Sequence, residues 1–424
     1  MHWGIAFDTP PTLTPQDPVP VVPALLQRPS RLAIIWVSVA WISVGCGDQS
    51  GSTDPGFQAD TLPGGAVLVR NADEGRWARM DQDGWTLGED LRIGRVEGDG
   101  PDVFGHIRNV IPGTAGTIWA LDSQARELRQ FGPDGAFLRT VGGPGDGPGE
   151  FGGNTCAFAG PHGEIWVESG GRWQRFNAGG ELIGEQQVTR SLGCGIFAWR
   201  GEELAVAFSD FDPATQEFSS AFVLHDRLQD GTVTVRDTVP APRIEDGPMA
   251  EWFQDGRLRR TARLPLAQSP GYFLQHGGVF WVTDGGGAYR FRRQTLEGDT
   301  LMIVERPHEP VPVPDSIRDA EIEGLYWEGV GYPEGFNPSD VPGVFPPFER
   351  IIEAEDGTVW VRRQVHGGDV SYDVFHASGE FLGNVPLPPG LRAFIEHWIT
   401  ESHVYGVARD ELDVQYIVRL RIGR

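Results

Sequence analysis

No lysine occurs anywhere in the 424 residues, so all 35 basic side chains are arginine. That excludes Schiff-base chemistry on a lysine and any phosphate loop that ends in one. Cysteine is scarce, at three, and none sits in a CxxC or zinc-ligand spacing. HExxH, GxSxG and calcium-loop patterns are absent, and DQDG at 81–84 reads only as a turn. Positive charge is outweighed by 59 acidic residues, for a net charge of −24. Such a field repels nucleic acid and anionic headgroups, and neither is expected as a partner.

What is abundant is glycine, at 58, proline, at 33, and tryptophan, at 14. That density of turn formers suits many short strands rather than long helices. The tryptophans argue for a large packed core, because a solvated disordered chain would not carry so much aromatic surface.

The N-terminal region reads as an export signal. Residues 28–46 are RPSRLAIIWVSVAWISVGC. Arg28 and Arg31 precede an apolar run from Leu32 to Gly45, which is shorter than the roughly 20 residues a bilayer span needs. The small residue before Cys46 and the polar stretch after it resemble a bacterial lipoprotein signal, in which that cysteine carries the lipid. Ser43 stands where an aliphatic residue is usual. The Pro-rich residues 1–27 do not fit a signal peptide, and translation is expected to begin near Val19–Leu26. The expected organisation is therefore signal and extension at 1–45, a flexible tether at 46–65 and a folded domain at 66–424.

The folded part repeats. GDGPDVFG at 98–105 returns as GDGPGEFG at 145–152, an offset of 47 residues. Between them lies GTIWALDSQARELRQFGPDGAFLRTVG at 116–142, three short strands joined by Gly- and Asp-based turns. The same grammar recurs around Trp166, Trp281 and Trp360, and more loosely at 201–239. An apolar run before each Trp-bearing strand, such as IRNVI, TCAFA or ERIIE, supplies a fourth, innermost strand. Four strands per 40–50 residues is the signature of an all-β propeller. The C-terminal unit has three strands and WTLGEDLRIG at 85–94 is an orphan, so this N-terminal strand should complete the last blade and give six. Residues 66–80 offer a seventh blade as the alternative, but lack an inner strand.

In this frame GDGPGEFG carries the chain from the rim of one blade to the hub of the next, with Phe151 as its anchor. The repeated tryptophans are expected between blades. These stretches, with EPVPVP, PPFERIIEAEDGTVWVR and YGVARDELDVQYIVRLRI, resemble the NHL-type six-bladed β-propellers. They are similar, more closely, to a group of bacterial envelope six-bladed propellers of unassigned function. The resemblance spans residues 66–424 and implies a secreted or membrane-anchored protein, but supplies no catalytic motif to transfer.

Several residues remain as candidates. Cys156 and Cys194 occupy the same position in neighbouring units, where a disulfide, two thiols or a metal site are all open. Polar residues fall on or beside the expected inner strands: His106, Asn109, Asn154, Gln275, His276, Glu349, Arg350, Glu396 and His397. Propeller lactonases and lyases hold calcium or zinc at the channel mouth, so this set is the place for such a metal; Arg350 in it disfavours a cation. Residues 306–348 break the rhythm, with a short helix expected from Pro314–Asp315 to Gly329 and an aromatic loop bearing Tyr326, Trp327, Tyr332 and Phe336 for a partner surface. A second insertion at 241–265 carries an Arg-rich EWFQDGRLRR. The reading is a monomeric, exported, lipid-anchored scaffold that binds an envelope protein or a small ligand. Its alternative is a calcium- or zinc-dependent lactonase or lyase at the channel mouth.

Overall fold

The computed structural model describes residues 56–424 apart from 188–196, 213–216, 242–248, 268–271, 275–278, 284–286, 365–368 and 392–393. Cys46, Cys194, Gln275 and His276 lie outside the described residues.

The chain opens with a hairpin, β1 (Phe57–Thr61) and β2 (Val67–Asn71), a helical turn α1 (Arg76–Arg79), and β3 (Thr86–Ile93). Six sheets follow. The first blade is β4–β7 (Ile107–Pro112, Ile118–Asp122, Glu127–Phe131, Phe137–Gly142). The second is β8–β11 (Cys156–Ala159, Ile165–Ser169, Arg172–Phe176, Leu182–Gln187). The third is β12–β15 (Phe197–Arg200, Glu203–Asp212, Glu217–Arg227, Val233–Pro240). A separate hairpin, β16 (Met249–Gln254) and β17 (Arg257–Arg263), precedes the fourth blade, β18–β21 (Tyr272–Leu274, Val279–Thr283, Arg290–Thr295, Thr300–Glu305). After helix α2 (Asp315–Gly324) come the fifth blade, β22–β25 (Arg350–Glu353, Val359–Gln364, Val370–Phe375, Phe381–Pro386), and the strands β26–β28 (Ile395–Ile399, His403–Arg409, Gln415–Gly423). The protein is an all-β six-bladed propeller. Strand β3 pairs antiparallel with β28, Ile93 opposite Ile417, and closes the ring.

The core lies between blades. Trp119, Trp166, Trp281 and Trp360 are all buried on the second strands. Burying such an indole is worth on the order of 2–3 kcal/mol. Phe151 of the GDGPGEFG connector is fully buried and meets Phe176 edge-on at 6.0 Å. One turn glycine recurs at three interfaces: Gly135, Gly180 and Gly379 have φ of +82°, +80° and +85°. A Cβ at these positions would press on Leu91, Val141 and Met302 of the preceding blade's outer strand. Positive φ and close approach together require glycine there.

Residues 66–80 form no seventh blade. Instead β2 adds in parallel to β21, and with β1 extends the fourth blade to six strands. Strand β1 falls in the stretch expected as tether, because its backbone finds an unpaired sheet edge to join. From β2 the chain runs through α1, which packs on β25, to β3 in the sixth blade. This strap therefore crosses the outer edges of three consecutive blades. Buried Asn71 fastens it, donating to Gly379 O at 3.0 Å and accepting from Phe381 N at 2.8 Å. Arg76 and Arg79 both pair with Glu380.

The two insertions pack on each other. Trp252 of β16 is fully buried among Leu264, Leu325 and Val341, and donates to Leu325 O at 3.1 Å. Helix α2 starts where expected but ends at Gly324, with Leu325 turned into this cluster. Arg260 lies over the Trp252 ring at 4.8 Å, while β17 is otherwise exposed.

Candidate ligand-binding cleft

At the hub, the first strand of each blade presents an unpaired backbone edge to the channel. Side chains of adjoining strands satisfy it. Asn109 Oδ1 accepts from Ala157 N at 3.0 Å, bridging the first and second blades. His397 Nδ1 accepts from Val110 N at 3.0 Å, bridging the sixth and first. Gln415 Oε1 does the same for Ile107 N at 2.6 Å. Leaving such N–H groups unpaired in a buried place costs about 1–3 kcal/mol each, so these polar residues have a structural reason to be there.

The other candidates are dispersed. His106 is exposed and its backbone N–H, not its ring, bonds Asp122. Asn154 is exposed on the loop before β8, at a φ of +51°. Glu349 is exposed and accepts from Arg362. Arg350 is half-buried and close enough to act electrostatically on His397. The side chain of Glu396 lies outside the described residues. Among the described residues no three His, Cys, Asp or Glu are placed to hold a metal ion together. Cys156 is buried at the start of β8. On the insertion, Tyr326 and Tyr332 are 56% and 45% exposed and meet edge-on at 5.3 Å. Trp327 and Phe336 are instead half-buried against the Trp252 cluster.

Burial and the charge of Arg350 push His397 down to about 4. Its folded value lies below that of the unfolded chain, so the unfolded state takes up the proton first as pH falls. The stability of the neutral ring is complete above pH 6.5, declines between 6.5 and 4, and is gone below. The expected loss is about 3 kcal/mol at most. Urea midpoints at pH 7 and pH 4.5 should differ less in His397→Gln than in the wild type; an unchanged difference would place the acid sensitivity elsewhere.

A cavity of about 500 Å³ lies away from the channel. It opens between the fourth and fifth blades beneath the strap. Asp73, Trp77, Gln82 and Gly84 line it from the strap, Arg306 from the end of the fourth blade, and Arg363, Asp373, Phe381 and Asn384 from the fifth. At its base is a charge cluster. Asp373, 1% exposed in its side chain, sits on β24, a strand buried along its whole length. Its Oδ2 accepts from Arg306 Nη1 at 2.8 Å, Tyr289 Oη at 2.8 Å and Arg363 Nη1 at 3.2 Å. Its Oδ1 accepts from Asn384 Nδ2 at 3.1 Å. Arg306 lies flat on Phe381, 3.9 Å from the ring centre, and reaches Asp73 at the rim. Burial and the adjacent Asp373 charge hold the Tyr289 phenol well above its usual range, so it stays a donor. His308, 6.0 Å from the Tyr289 ring, is pushed down by burial and by both arginines.

Sequence reasoning missed this cluster. Its members come from the strap and two blades, with no common spacing. The one available signal was Asp373 itself, the single charge in VSYDVF.

No family model matches the chain, and no curated protein matches it. Solved structures do resemble it. A Bacteroides fragilis protein proposed to be exported is 13% identical, with 84% of this chain and all of that one covered at a TM-score of 0.47. A Bacteroides vulgatus member of the DUF4221 family is 11% identical over 80% and 98%, at 0.40. Virginiamycin B lyase from Staphylococcus aureus is 11% identical over 87% and 96%, at 0.33.

Proposed function

We propose that this chain is an exported propeller, anchored through a lipid on Cys46, that binds a small ligand in the cleft beneath the strap. The observation that carries the reading is the cleft, where three separate parts of the chain bring buried charge and aromatic walls into one cavity of about 500 Å³. A concave site with few convergent polar groups is the usual form of a small-molecule site. The signal-like Arg28–Cys46 stretch and the short distance in sequence from Cys46 to β1 support the anchor. On this reading the binding domain sits within reach of a membrane surface.

Two measurements test it. In a bacterial host the full chain should fractionate with membranes and Cys46→Ala should not; equal distribution would remove the anchor. Purified protein exposed to a small-molecule extract of the cells that make it, desalted and denatured, should release a compound seen by mass spectrometry. Gln82→Trp, which fills the cleft from the exposed strap side, should release less. Equal release from both proteins would overturn the cleft as the site.

A further inference from the structure

We infer that the ligand class is a singly charged carboxylate with an apolar body, its carboxylate on Arg363 and Arg306 and its body against Trp77 and Phe381; this rests on the cleft being the binding site. The charge count points there. Two guanidiniums face one buried carboxylate, and the side chains of Arg306 and Arg363 are only 7% and 16% exposed. The buried part therefore carries one more positive than negative charge, and the second carboxylate on Arg306, Asp73 at 3.4 Å, is 82% exposed at the rim.

A cation does not fit. Asp373 Oδ2 already accepts three hydrogen bonds and Oδ1 accepts one from Asn384. That exceeds the two lone pairs of Oδ2 and leaves Asp373 little capacity for a metal or ammonium group. A doubly charged anion fits less well than a single charge, because Asp73, 82% exposed, stands at the rim beside Arg306 and opposes it. Donors remain for an incoming carboxylate. The Nε atoms of Arg306 and Arg363 are both buried, and no described residue accepts from either. A small tilt of either guanidinium toward a carboxylate would relieve this, and arginine forks match carboxylate geometry. The walls set the rest of the ligand. Trp77 and Phe381 offer aromatic surface, while Asn384 and Gln82 offer amide groups.

The test uses the full chain and three probes: sodium benzoate, the neutral isostere benzamide, and inorganic phosphate. Benzoate should raise the melting temperature saturably and quench tryptophan fluorescence, whereas benzamide should do neither. Arg363→Gln should weaken benzoate about tenfold or more. Because that variant also removes a partner of Asp373, Gln82→Trp serves as a second control that leaves the charge cluster intact, and it should abolish the effect too. Equal response to benzamide, a benzoate response indifferent to both variants, or a stronger Arg363-dependent response to phosphate would each overturn the carboxylate assignment. So would no response to any probe. If the extract experiment still shows release that depends on an open cleft, only the ligand class has failed.

Discussion

Asp373→Ala is expected to destabilise the propeller by about 3–5 kcal/mol, among the largest effects of any single substitution outside the tryptophan core. The loss is more than that of four hydrogen bonds. Arg363 would be left buried with no counter-charge, Arg306 would keep only the exposed Asp73, Tyr289 would lose its acceptor and Asn384 one of its two. Asp373→Asn keeps the shape and one acceptor, so it should be milder. Adding Arg363→Gln to Asp373→Asn should restore part of the loss, because it removes one of the two cations that repel each other. Urea unfolding of the four proteins measures this coupling as a non-additive cycle. A loss below about 1 kcal/mol for Asp373→Ala would mean that water compensates the arginines and that the cluster is wetter than its exposure indicates.

Trp77→Ala should detach the strap. The indole is 8% exposed, meets Trp85 at a tilt at 5.2 Å and covers Gly383. A Cβ at Gly383 would fall within the Trp77 ring, at a φ of +157°, so that close approach requires glycine. Large-to-small change at a buried tryptophan costs about 3–5 kcal/mol. Here much of it should appear as local opening rather than global unfolding, since β3 remains paired with β28. Trypsin gives a clear readout, because a chain without lysine can be cut only at arginine. Cleavage after Arg70, Arg76 and Arg79 should accelerate manyfold while the blades stay intact. Gly383→Val should act in the same direction. A digestion pattern identical to wild type in both variants would show that Asn71 and Glu380 hold the strap without the indole.

The ring was legible in the sequence for a physical reason: each blade must bury the same strand position, so Trp119, Trp166, Trp281 and Trp360 recur. Closure was legible because the last unit is one strand short and residues 85–94 are one strand over. The docking of β1–β2 on β21 was not. Edge pairing runs through backbone groups, which leave no residue signature, and the two partners are more than 200 residues apart. The polar residues near the hub misdirect in an instructive way. Asn109 and His397 do lie on inner strands, but their acceptors serve backbone N–H groups of the neighbouring blade. The cleft was hidden because its charges sit one per segment, and only Asp373 broke a local pattern.

Strand β3 also sets a timetable. Ile93 finds its partner only at Ile417, which leaves the ribosome 324 residues later. At about 5–20 residues per second that is a wait of roughly 15 to 65 seconds. Until then the first strand of the ring lacks its final neighbour, and the strap ahead of it has already had to wait for β21 and β25. The long separation also makes closure slow by contact-order arguments. A chain built this way stays incomplete throughout its synthesis, because its last residues are needed to secure its first.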